Sequence, residues 1–249
     1  MDEVRVLGVR VDRIDAPGLE RSILSDVHSG GPRLYAYVNV HAVNLARSDG
    51  RFRDIINGAA VAYCDGEGVR VGAWMLGSRL PPRTVLTYWV WDLCGLMEEK
   101  GLTVFFLGAR EPVVAKAIAV LRGRYPKLNV AGWHHGFFEK HGEESRKVVE
   151  EIRQASPDLL FVGFGMPLQE YWIEENLGSL RAGIVLPAGS MIDYIAGEKK
   201  LTPAWMANTG LEWFYRLVRE PRRLWKRYLL GNPLFIIRVM AERIRFGRT

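Results

Sequence analysis

The sequence predicts an α/β fold with a Rossmann-like, mostly parallel sheet, flanking helices and a helical, basic C-terminal appendage. Between residues 103 and 187, short apolar runs alternate with helix-like segments. Such alternation pairs strands in parallel through right-handed crossovers. After residue 196 the composition becomes aromatic and arginine-rich. We therefore predict a core at residues 1–196 and an appendage at residues 197–249.

The elements of the first 100 residues are predicted from alternation, helical periodicity and capping signals. Residues 4–11 alternate like a single strand. Asp15 and Pro17 are typical of a helix cap and first turn, so we predict a helix that runs to about residue 27. Further strands are predicted at residues 35–40 and 61–64, and helices at residues 42–57, 67–77 and 87–100.

The remainder of the core is more regular. We predict strands at residues 103–107, 129–133, 159–162 and 183–187. The helices between them are predicted at residues 112–125, 143–155 and 168–177. Continuous apolar runs such as residues 159–162 are expected of strands that are covered on both faces.

The composition is that of an ordinary globular protein, with 249 residues, 48% hydrophobic and 25% charged. The first residues lack the pattern of a signal peptide, and no apolar stretch approaches the roughly 20 residues that cross a bilayer. We therefore expect a cytoplasmic protein. Cys64 and Cys94 have the spacing of neither a disulfide framework nor a zinc site, and we expect both to be reduced and mostly buried.

The basic residues are concentrated at the end of the chain. Residues 216–249 hold ten Lys or Arg against two Glu, a local charge of +8, whereas the whole chain carries +6. This asymmetry predicts an anionic partner, either a membrane surface, a phosphorylated substrate or nucleic acid. The segment has an apolar helical face beside an arginine face, so it is expected either to lie on a membrane or to pack on the core domain and point arginines into its crevice. The predicted apolar face is formed by Leu217, Pro221, Leu224 and Tyr228, and the arginine face by Arg216, Arg219, Arg223 and Arg227.

A glycine-rich loop follows the predicted strand at residues 159–162. Gly163 and Gly165 permit close approach of the backbone to a ligand, and Pro167 suits the first position of a helix. Gln169 and Glu170 fall in the first turn of that helix. Because ligands of open α/β sheets bind at the carboxyl ends of the strands, this loop is a candidate binding site. The alternative is a purely structural strand-to-helix connection.

Polar residues also follow two earlier predicted strands. Asp65 comes directly after residues 61–64, where a carboxylate can act as a general base, and Asn39 ends the strand before it. Arg83 lies in a loop where a guanidinium can bind a phosphate. Structural alternatives remain open for each of them, including a simple Asp-Gly turn. Asp65 and Glu67 also resemble the acidic pair with which some sugar transferases hold a divalent metal.

Together, these motifs resemble those of the WecG/TagA/CpsF glycosyltransferases (glycosyltransferase family 26). The resemblance runs in order from about residue 35 to residue 230. The motifs that carry it are Asn39-Val40-His41, Cys64 to Gly68, Arg83, Phe106 to Ala109, Tyr125-Pro126, Gly136 to Phe138, Pro157-Asp158, Gly163 to Glu170, Asp193 to Gly197, Gly210 to Trp213, Arg216, Glu220-Pro221 and Arg223.

The resemblance implies a transferase that moves a sugar from a UDP-sugar to a polyprenyl-diphosphate-linked glycan at the cytoplasmic face of the membrane, for bacterial cell-surface polysaccharide synthesis. Inversion at the anomeric carbon without a metal or another cofactor is implied, as is a Rossmann-like core with an appendage (the GT-E type). The sugar is expected to be N-acetylmannosamine-like or another hexose or uronic acid. The expected partners are the donor, the acceptor and the membrane surface; a homo-oligomer is left open, and no nucleic acid is expected.

Site residues are also implied by the resemblance. The family's proposed catalytic base corresponds to Asp65 and its pocket asparagine to Asn39. Its other substrate-binding positions correspond to Arg83 and Gln169, with Gly163, Gly165 and Glu170 in the same glycine-rich motif. Its appendage arginines, expected to reach the diphosphate, correspond to Arg216, Arg223 and Arg227.

The sequence departs from the family pattern near these positions. Tyr37 stands where many members have Thr, and Leu201-Thr202-Pro203 lacks the arginine of the usual Arg-Ala-Pro. Residues 87–89 replace the usual Gly-x-Asp after the pocket arginine. The identity of the donor sugar in the better-known branches of the family therefore does not apply directly to this sequence.

Two other functions are compatible with parts of the sequence. A nucleotide-dependent oxidoreductase would use the Rossmann-like sheet, but no G-x-G-x-x-G fingerprint follows an early strand. A nucleic-acid-binding module would use the basic, aromatic C-terminal segment. Salt-sensitive binding to RNA in preference to anionic liposomes would distinguish the second alternative.

Overall fold

The computed structural model describes residues 2–208 and 210–246. Within them, a two-stranded hairpin precedes a six-stranded sheet. The strands are β1 (Glu3–Val6), β2 (Val9–Asp12), β3 (Arg33–Val38), β4 (Val61–Cys64), β5 (Thr103–Gly108), β6 (Asn129–His134), β7 (Leu159–Gly163) and β8 (Ile184–Pro187). The helices of the core are α1 (Ala16–Asp26), α2 (Val40–Ser48), α3 (Gly50–Gly58), α4 (Glu67–Met75), α5 (Leu86–Lys100), α6 (Glu111–Arg124), α7 (Gly142–Ala155), α8 (Leu168–Asn176) and α9 (Met191–Ile195).

The six-stranded sheet has the order β4-β3-β8-β7-β5-β6, and all of its neighbours pair in parallel. Helices cover both faces. One apolar cluster joins the sheet to α1, α5, α6 and α9, and the other joins it to α2, α3, α4, α7, α8 and the β1–β2 hairpin. The predicted Rossmann-like α/β class is confirmed.

The single strand predicted over residues 4–11 is wrong. The chain reverses at Leu7 and Gly8, whose φ angles are +53° and +84°, so that β2 returns antiparallel to β1. Each short strand largely alternates between buried and more exposed residues. Because the turn between them is only two residues long, the alternation looks continuous in the sequence. Positive φ at a leucine is rare, and the following glycine is the local signal for a reversal at this position.

The helix predicted over residues 42–57 is also wrong, because two helices occupy that segment. Asp49 separates them: its carboxylate accepts a hydrogen bond from the Phe52 backbone N–H at 3.0 Å and caps α3. The strand predicted to reach residue 40 ends at Val38, because Asn39 caps α2 instead. Asp and Asn compete with the continuing backbone for hydrogen bonds, which is why each of them starts a new helix here.

The C-terminal segment is helical. It comprises α10 (Ala204–Asn208), α11 (Glu212–Arg219), α12 (Pro221–Trp225), a π-helical turn (Lys226–Leu230) and α13 (Gly231–Phe246). The predicted arginine face is interrupted at Glu220, where α11 ends. Leu224 and Tyr228 of the predicted apolar face are buried.

Helix α13 packs against α2 and α4. Its Phe235 and Val239 are buried in the same apolar cluster as those helices, and a Cβ on Gly72 would lie 2.5 Å from the Phe235 ring. The Asn44 side chain donates to the Gly231 carbonyl oxygen at 2.8 Å and accepts from Arg238 at 2.9 Å. The last helix therefore shares a core with α2 and α4, while the functional division at residue 196 stays a prediction.

In the described part of the chain, none of the helices combines the length and the apolar character that a membrane span requires.

Candidate functional site

A cavity of about 710 Å³ lies where β3, β4 and β8 end and is closed from the other side by the C-terminal segment. Polar and charged side chains from both parts of the chain face it. Seven of the residues predicted from the sequence line this cavity: Asn39, Asp65, Arg83, Gly165, Arg216, Arg223 and Arg227. The fold therefore brings together residues that are up to 188 positions apart, Asn39 to Arg227.

Asn39 and Asp65 lie side by side because they follow paired strands. The Asp65 N–H donates to the Val38 carbonyl oxygen at 2.9 Å, which extends the β3–β4 ladder by one residue. The Asn39 Oδ1 atom accepts from the Ala42 N–H at 3.1 Å and caps α2. Its Nδ2 atom is thereby turned toward Asp65 and donates to the carboxylate at 3.2 Å.

Two glycines after Asp65 permit this close approach. A Cβ on Gly66 would lie 3.0 Å from the Asn39 Cβ atom, and one on Gly68 would lie 2.5 Å from Val40 Cγ2. Larger residues at these positions would push β4 and its carboxylate away from β3. Gly66 is therefore needed for the close packing of Asp65 against Asn39, in addition to forming a turn.

The electrostatic environment of Asp65 is mixed. Burial raises the pKa of its carboxyl above the ordinary value, while the Asn39 hydrogen bond and the charges of Arg216 and Arg83 lower it and the charge of Glu212 raises it. Burial is the largest of these effects. A carboxylate whose pKa is raised accepts a proton more readily, which suits a general base.

Arg83 reaches the cavity from the core, and Arg216 reaches it from the C-terminal segment. Arg83 precedes α5, and its loop is attached to the end of β4 because the Thr84 N–H donates to the Cys64 carbonyl oxygen at 2.8 Å. Arg216 projects from α11. Both guanidinium groups contact the same carboxylate, that of Glu212, at 2.7 Å each.

Arg223 and Arg227 complete the basic side of the cavity. Arg223 pairs with Glu220 at 2.5 Å and is more than half exposed. Arg227 lies beside His41, where burial and the arginine charge together lower the pKa of the imidazole to about 4. His41 is therefore neutral near pH 7, and positive charge at this wall comes from arginines.

Gln169 is fully buried and lies behind the cavity wall. Its Oε1 atom accepts from the Gly165 N–H at 3.1 Å and the Gly189 N–H at 3.0 Å. Its Nε2 atom donates to the Tyr37 hydroxyl at 3.0 Å and to Glu170 at 2.8 Å. All of its hydrogen-bonding groups are thus used inside the protein, so its geometry suits holding two loops and a hydroxyl in place.

Glu170 is likewise enclosed, with 1% of its surface exposed. Burial raises the pKa of its carboxyl to about 7. One of its oxygens accepts from Gln169, and the other has no hydrogen-bond partner among the described residues. Gln169 and Glu170 therefore do not line the cavity. They act on it by holding Tyr37 and the loops at Gly165 and Gly189, which do.

Gly163 lines a second cavity, of about 750 Å³, next to the first. A Cβ on Gly163 would lie 2.8 Å from the Gly189 carbonyl oxygen, so this glycine is required by the contact between β7 and the loop after β8. The second cavity also presents Phe137, which is 72% exposed. The residues that line both cavities are Gly165, Gly189, Ser190 and Arg223.

Sequence reasoning gave no role to several residues that line the first cavity. Tyr37 appeared there only as a departure from a pattern, and Glu212 only as part of a motif. Tyr194 and Trp213 likewise appeared only within motifs, and Tyr228 appeared only on the predicted apolar face of the C-terminal segment. The spacing of Glu212 and Arg216, four positions apart on a helix, was the available signal for that ion pair.

Glu67, the second residue of the acidic pair Asp65 and Glu67, has a partner within the protein. Both Glu67 oxygens accept from Arg70, at 2.8 and 2.9 Å. In the described ranges, no three His, Cys, Asp or Glu side chains are grouped as metal ligands. Transfer without a metal stays a prediction.

The sequence model of the "Glycosyl transferase WecG/TagA/CpsF family" matches residues 4–249. The chain is 30% identical over 206 residues to an N-acetylglucosaminyldiphosphoundecaprenol N-acetyl-beta-D-mannosaminyltransferase of Bacillus subtilis (strain 168), covering 82% of this chain and 78% of the relative.

Two relatives with the same name are similar at comparable levels. That of Staphylococcus aureus (strain MW2) is 29% identical over 201 residues, which is 81% of this chain and 77% of the relative. That of Bacillus spizizenii is 28% identical over 197 residues, which is 79% of this chain and 74% of the relative. The chain belongs to the WecG/TagA/CpsF family and is a glycosyltransferase.

Proposed function

We propose that the protein transfers an N-acetylmannosamine-like sugar, or another hexose or uronic acid, from a UDP-sugar to a polyprenyl-diphosphate-linked glycan. The transfer inverts the anomeric carbon and needs no metal. The observation that carries this proposal is the cavity lined by Asp65, Arg83 and Arg216, in which a carboxylate lies beside two guanidinium groups. The product would serve bacterial cell-surface polysaccharide synthesis.

Asp65 is the proposed catalytic base. It takes the proton from the acceptor hydroxyl, whose oxygen forms the new bond to the anomeric carbon. The bond between that carbon and the donor's phosphate oxygen breaks on the opposite face, and UDP leaves with the electron pair. A single displacement of this kind requires one base. The fixed hydrogen bond from Asn39 orients the carboxylate for it.

The arginines are proposed to receive the leaving diphosphate. Negative charge accumulates on the departing phosphate oxygen, and fixed cationic donors stabilise it best where water is excluded. Arg83, Arg216, Arg223 and Arg227 supply four guanidinium groups at the cavity wall. Removing one such donor typically costs on the order of 3 kcal/mol of transition-state stabilisation.

The second cavity supports a nucleotide as the leaving group. It adjoins the first at Gly165, Gly189 and Arg223, so that a diphosphate at the junction would place a nucleoside in one cavity and a sugar in the other. The exposed Phe137 ring offers a face for a base, and Asp193 offers a carboxylate for ribose hydroxyls. Gly163 and Gly165 let a ligand approach the backbone.

The acceptor class is supported by the relatives. Their names specify N-acetylglucosamine linked through a diphosphate to undecaprenol as acceptor and N-acetylmannosamine as the transferred sugar. We propose the same class of acceptor here. The donor sugar is left broader, because the Tyr37 hydroxyl lies at this cavity and is held by Gln169.

A lipid-linked acceptor requires access to a membrane, and the C-terminal segment supports it. Its outer face exposes a row of apolar side chains on α13, namely Leu234, Ile237, Met240 and Ile244. Val218, Trp225, Leu229 and Leu230 are exposed in the helices before it, beside basic residues. An amphipathic, basic surface of this kind suits peripheral binding to anionic lipid, which we propose at the cytoplasmic face. In this arrangement residues 1–196 supply the base and Arg83, and residues 197–249 supply the other three arginines and the membrane contact.

The proposed function is tested by an assay of glycosyl transfer. Purified protein would be incubated with a panel of UDP-sugars and a short-chain polyprenyl-diphosphate N-acetylglucosamine, with and without EDTA, and the products would be followed by mass spectrometry. We expect one donor to give a disaccharide-lipid in the presence of EDTA. The absence of transfer and of UDP release from every donor would contradict the proposal. Binding of RNA in preference to anionic vesicles would instead favour a nucleic-acid module.

A further inference from the structure

The Glu212 carboxylate contacts two of the arginines that line the cavity. Glu212 is 8% exposed and lies on α11. Its Oε2 atom accepts from Arg83 Nη1 at 2.7 Å, and its Oε1 atom accepts from Arg216 Nη2 at 2.7 Å. One buried carboxylate therefore joins an arginine of the core to an arginine of the C-terminal segment.

We propose that Glu212 balances the charge of Arg83 and Arg216, and that it thereby limits how tightly they hold a diphosphate and keeps Asp65 able to accept a proton. The inference rests on the proposed function, because it concerns the same base and the same anion site. Glu212 acts through the arginines and is therefore a positioning residue. Its carboxylate contacts guanidinium groups on both sides.

The bridge leaves donors free for an anion. A guanidinium has five N–H groups, and Glu212 uses one from each arginine. Arg83 gives another to the Ala207 carbonyl oxygen at 3.1 Å, and its Nε atom lies 4.0 Å from Glu67. The enclosed Nε of Arg216 has no hydrogen-bond partner among the described residues. Glu212 therefore holds both arginines in place while some of their N–H donors stay available for an anion.

The charge balance extends to Asp65. The charged and titratable groups that act on it or feel its charge come from β3, β4, the loop before α5, and α11. They are Tyr37, Tyr63, Cys64, Arg83, Glu212 and Arg216. Two of them are cations and one is an anion near pH 7. Without the anion, both cations act on Asp65 unopposed, which lowers its pKa and makes it a weaker base.

The same balance applies to the ligand. A diphosphate entering the cavity is attracted by the arginines and repelled by Glu212. If the carboxylate becomes an amide of the same shape, the repulsion disappears while the buried volume stays the same. The site then binds a free diphosphate more tightly, although the base beside it is weaker. Tighter binding combined with slower turnover distinguishes charge balance from simple loss of structure.

The test compares Glu212→Gln with Glu212→Asp, which keeps the charge on a shorter side chain. Glu242→Gln is the matched control, because Glu242 lies in the same C-terminal segment and does not line either cavity. Inorganic pyrophosphate and UDP binding would be measured by calorimetry, and the pH dependence of kcat/KM by UDP release. Thermal unfolding would be recorded for each variant.

We expect Glu212→Gln to bind pyrophosphate severalfold more tightly than wild type and to have a lower kcat. Its acid limb of kcat/KM should move to lower pH by about one unit, the size of effect that a neighbouring charge produces. Glu212→Asp should keep the acid limb of the wild type. Pyrophosphate affinity and an acid limb that match those of Glu242→Gln would overturn the inference, and so would weaker pyrophosphate binding.

Two outcomes separate this inference from the proposed function. A wild-type protein that binds neither pyrophosphate nor UDP would contradict the diphosphate site itself. Wild-type binding with an unaffected Glu212→Gln would contradict only the role of Glu212. If Glu212→Gln does not fold, Arg216→Gln and the double variant Arg216→Gln/Glu212→Gln give the same comparison. Relative to Arg216→Gln, the double variant should have its acid limb at lower pH, and an unmoved limb would overturn the inference.

Discussion

The Asn39 side chain donates a hydrogen bond to the Asp65 carboxylate at 3.2 Å, and the two residues follow neighbouring parallel strands. The second half of the Asn39 amide is used to cap α2 at 3.1 Å. The orientation of the carboxylate is therefore fixed by a helix start rather than by a flexible loop. A base that is oriented before substrate binds needs less rearrangement during the reaction.

Asp65→Asn should reduce kcat by roughly 10² to 10⁴, the range expected for loss of a general base. The amide keeps the shape of the side chain but does not accept a proton. UDP release with the donor and acceptor substrates measures the effect. Asp54→Asn, a charge change on an exposed residue of α3, should leave kcat unchanged. An Asp65→Asn variant with wild-type turnover would remove Asp65 from the mechanism.

Gln169→Ala should lower both stability and activity. The variant removes the acceptor of the Gly165 and Gly189 N–H groups, and an unsatisfied buried polar group costs about 1–3 kcal/mol. The two loops border the cavity, so kcat/KM should also fall, by about tenfold or more. Denaturant unfolding and initial rates measure these effects.

The matched control for that variant is Gln154→Ala, which removes an exposed amide that donates to the exposed side chain of Glu150 at 3.3 Å. It should change neither quantity appreciably. A Gln169→Ala protein with the stability and kcat/KM of this control would show that the buried amide does not hold the loops.

Glu170 should make stability depend on pH. Burial raises the pKa of its carboxyl to about 7 from an ordinary value of 4.5, so the folded state holds the proton more tightly than the unfolded chain. This contribution to stability is fully present below pH 4.5 and is lost as the pH rises through 7. Over that interval it amounts to about 3 kcal/mol at most.

Glu170→Gln should remove this dependence, because an amide stays neutral and can still accept from Gln169. The free energy of unfolding of Glu170→Gln minus that of wild type should therefore increase between about pH 4.5 and pH 8. Denaturant unfolding across this range measures it. Glu151→Gln, at an exposed position of α7, should give a flat difference. A flat difference for Glu170→Gln as well would show that Glu170 ionises normally.

Ile237→Glu/Met240→Glu should weaken membrane binding without unfolding the protein. Both side chains are half exposed or more on the outer face of α13, opposite the buried Phe235 and Val239. Two added carboxylates remove apolar area and repel anionic lipid. Co-sedimentation with vesicles containing anionic phospholipid measures the effect, and thermal unfolding checks the fold.

Val120→Glu on α6 is the control for the membrane experiment, because this valine is 39% exposed on a helix of the core. It should bind vesicles as the wild type does. Equal vesicle binding by all three proteins would place the membrane contact elsewhere or exclude it.

Much of the core was predictable because strands and helices alternate with clear periods. The sheet class and the strands at residues 61–64 and 159–162 followed from apolar runs, and the position of Asp65 followed from its place after a strand. The β1–β2 hairpin was not predicted, because its reversal depends on a positive φ at Leu7. The break at Asp49 was missed because an aspartate inside a helical period is ambiguous between surface residue and cap.

The site was predictable in its members but not in its connections. The sequence placed Asn39 and Asp65 at the ends of neighbouring strands and Arg83 in a loop, and the structure shows all three lining one cavity. It did not show that Gln169 uses all of its groups internally. Nor did it show that Glu212 joins two arginines separated by 133 positions, Arg83 and Arg216, because contacts across such distances leave no local signal.

The anomeric configuration of the product tests whether Asp65 acts as the base of a single displacement. Wild-type protein and Asp65→Asn would be incubated side by side with the accepted UDP-sugar and the lipid-diphosphate acceptor in EDTA, and the new glycosidic bond would be assigned by NMR. We expect the wild type to form the bond with inverted configuration and Asp65→Asn to form almost none. A product with retained configuration, or equal product from both proteins, would contradict a single displacement with Asp65 as base.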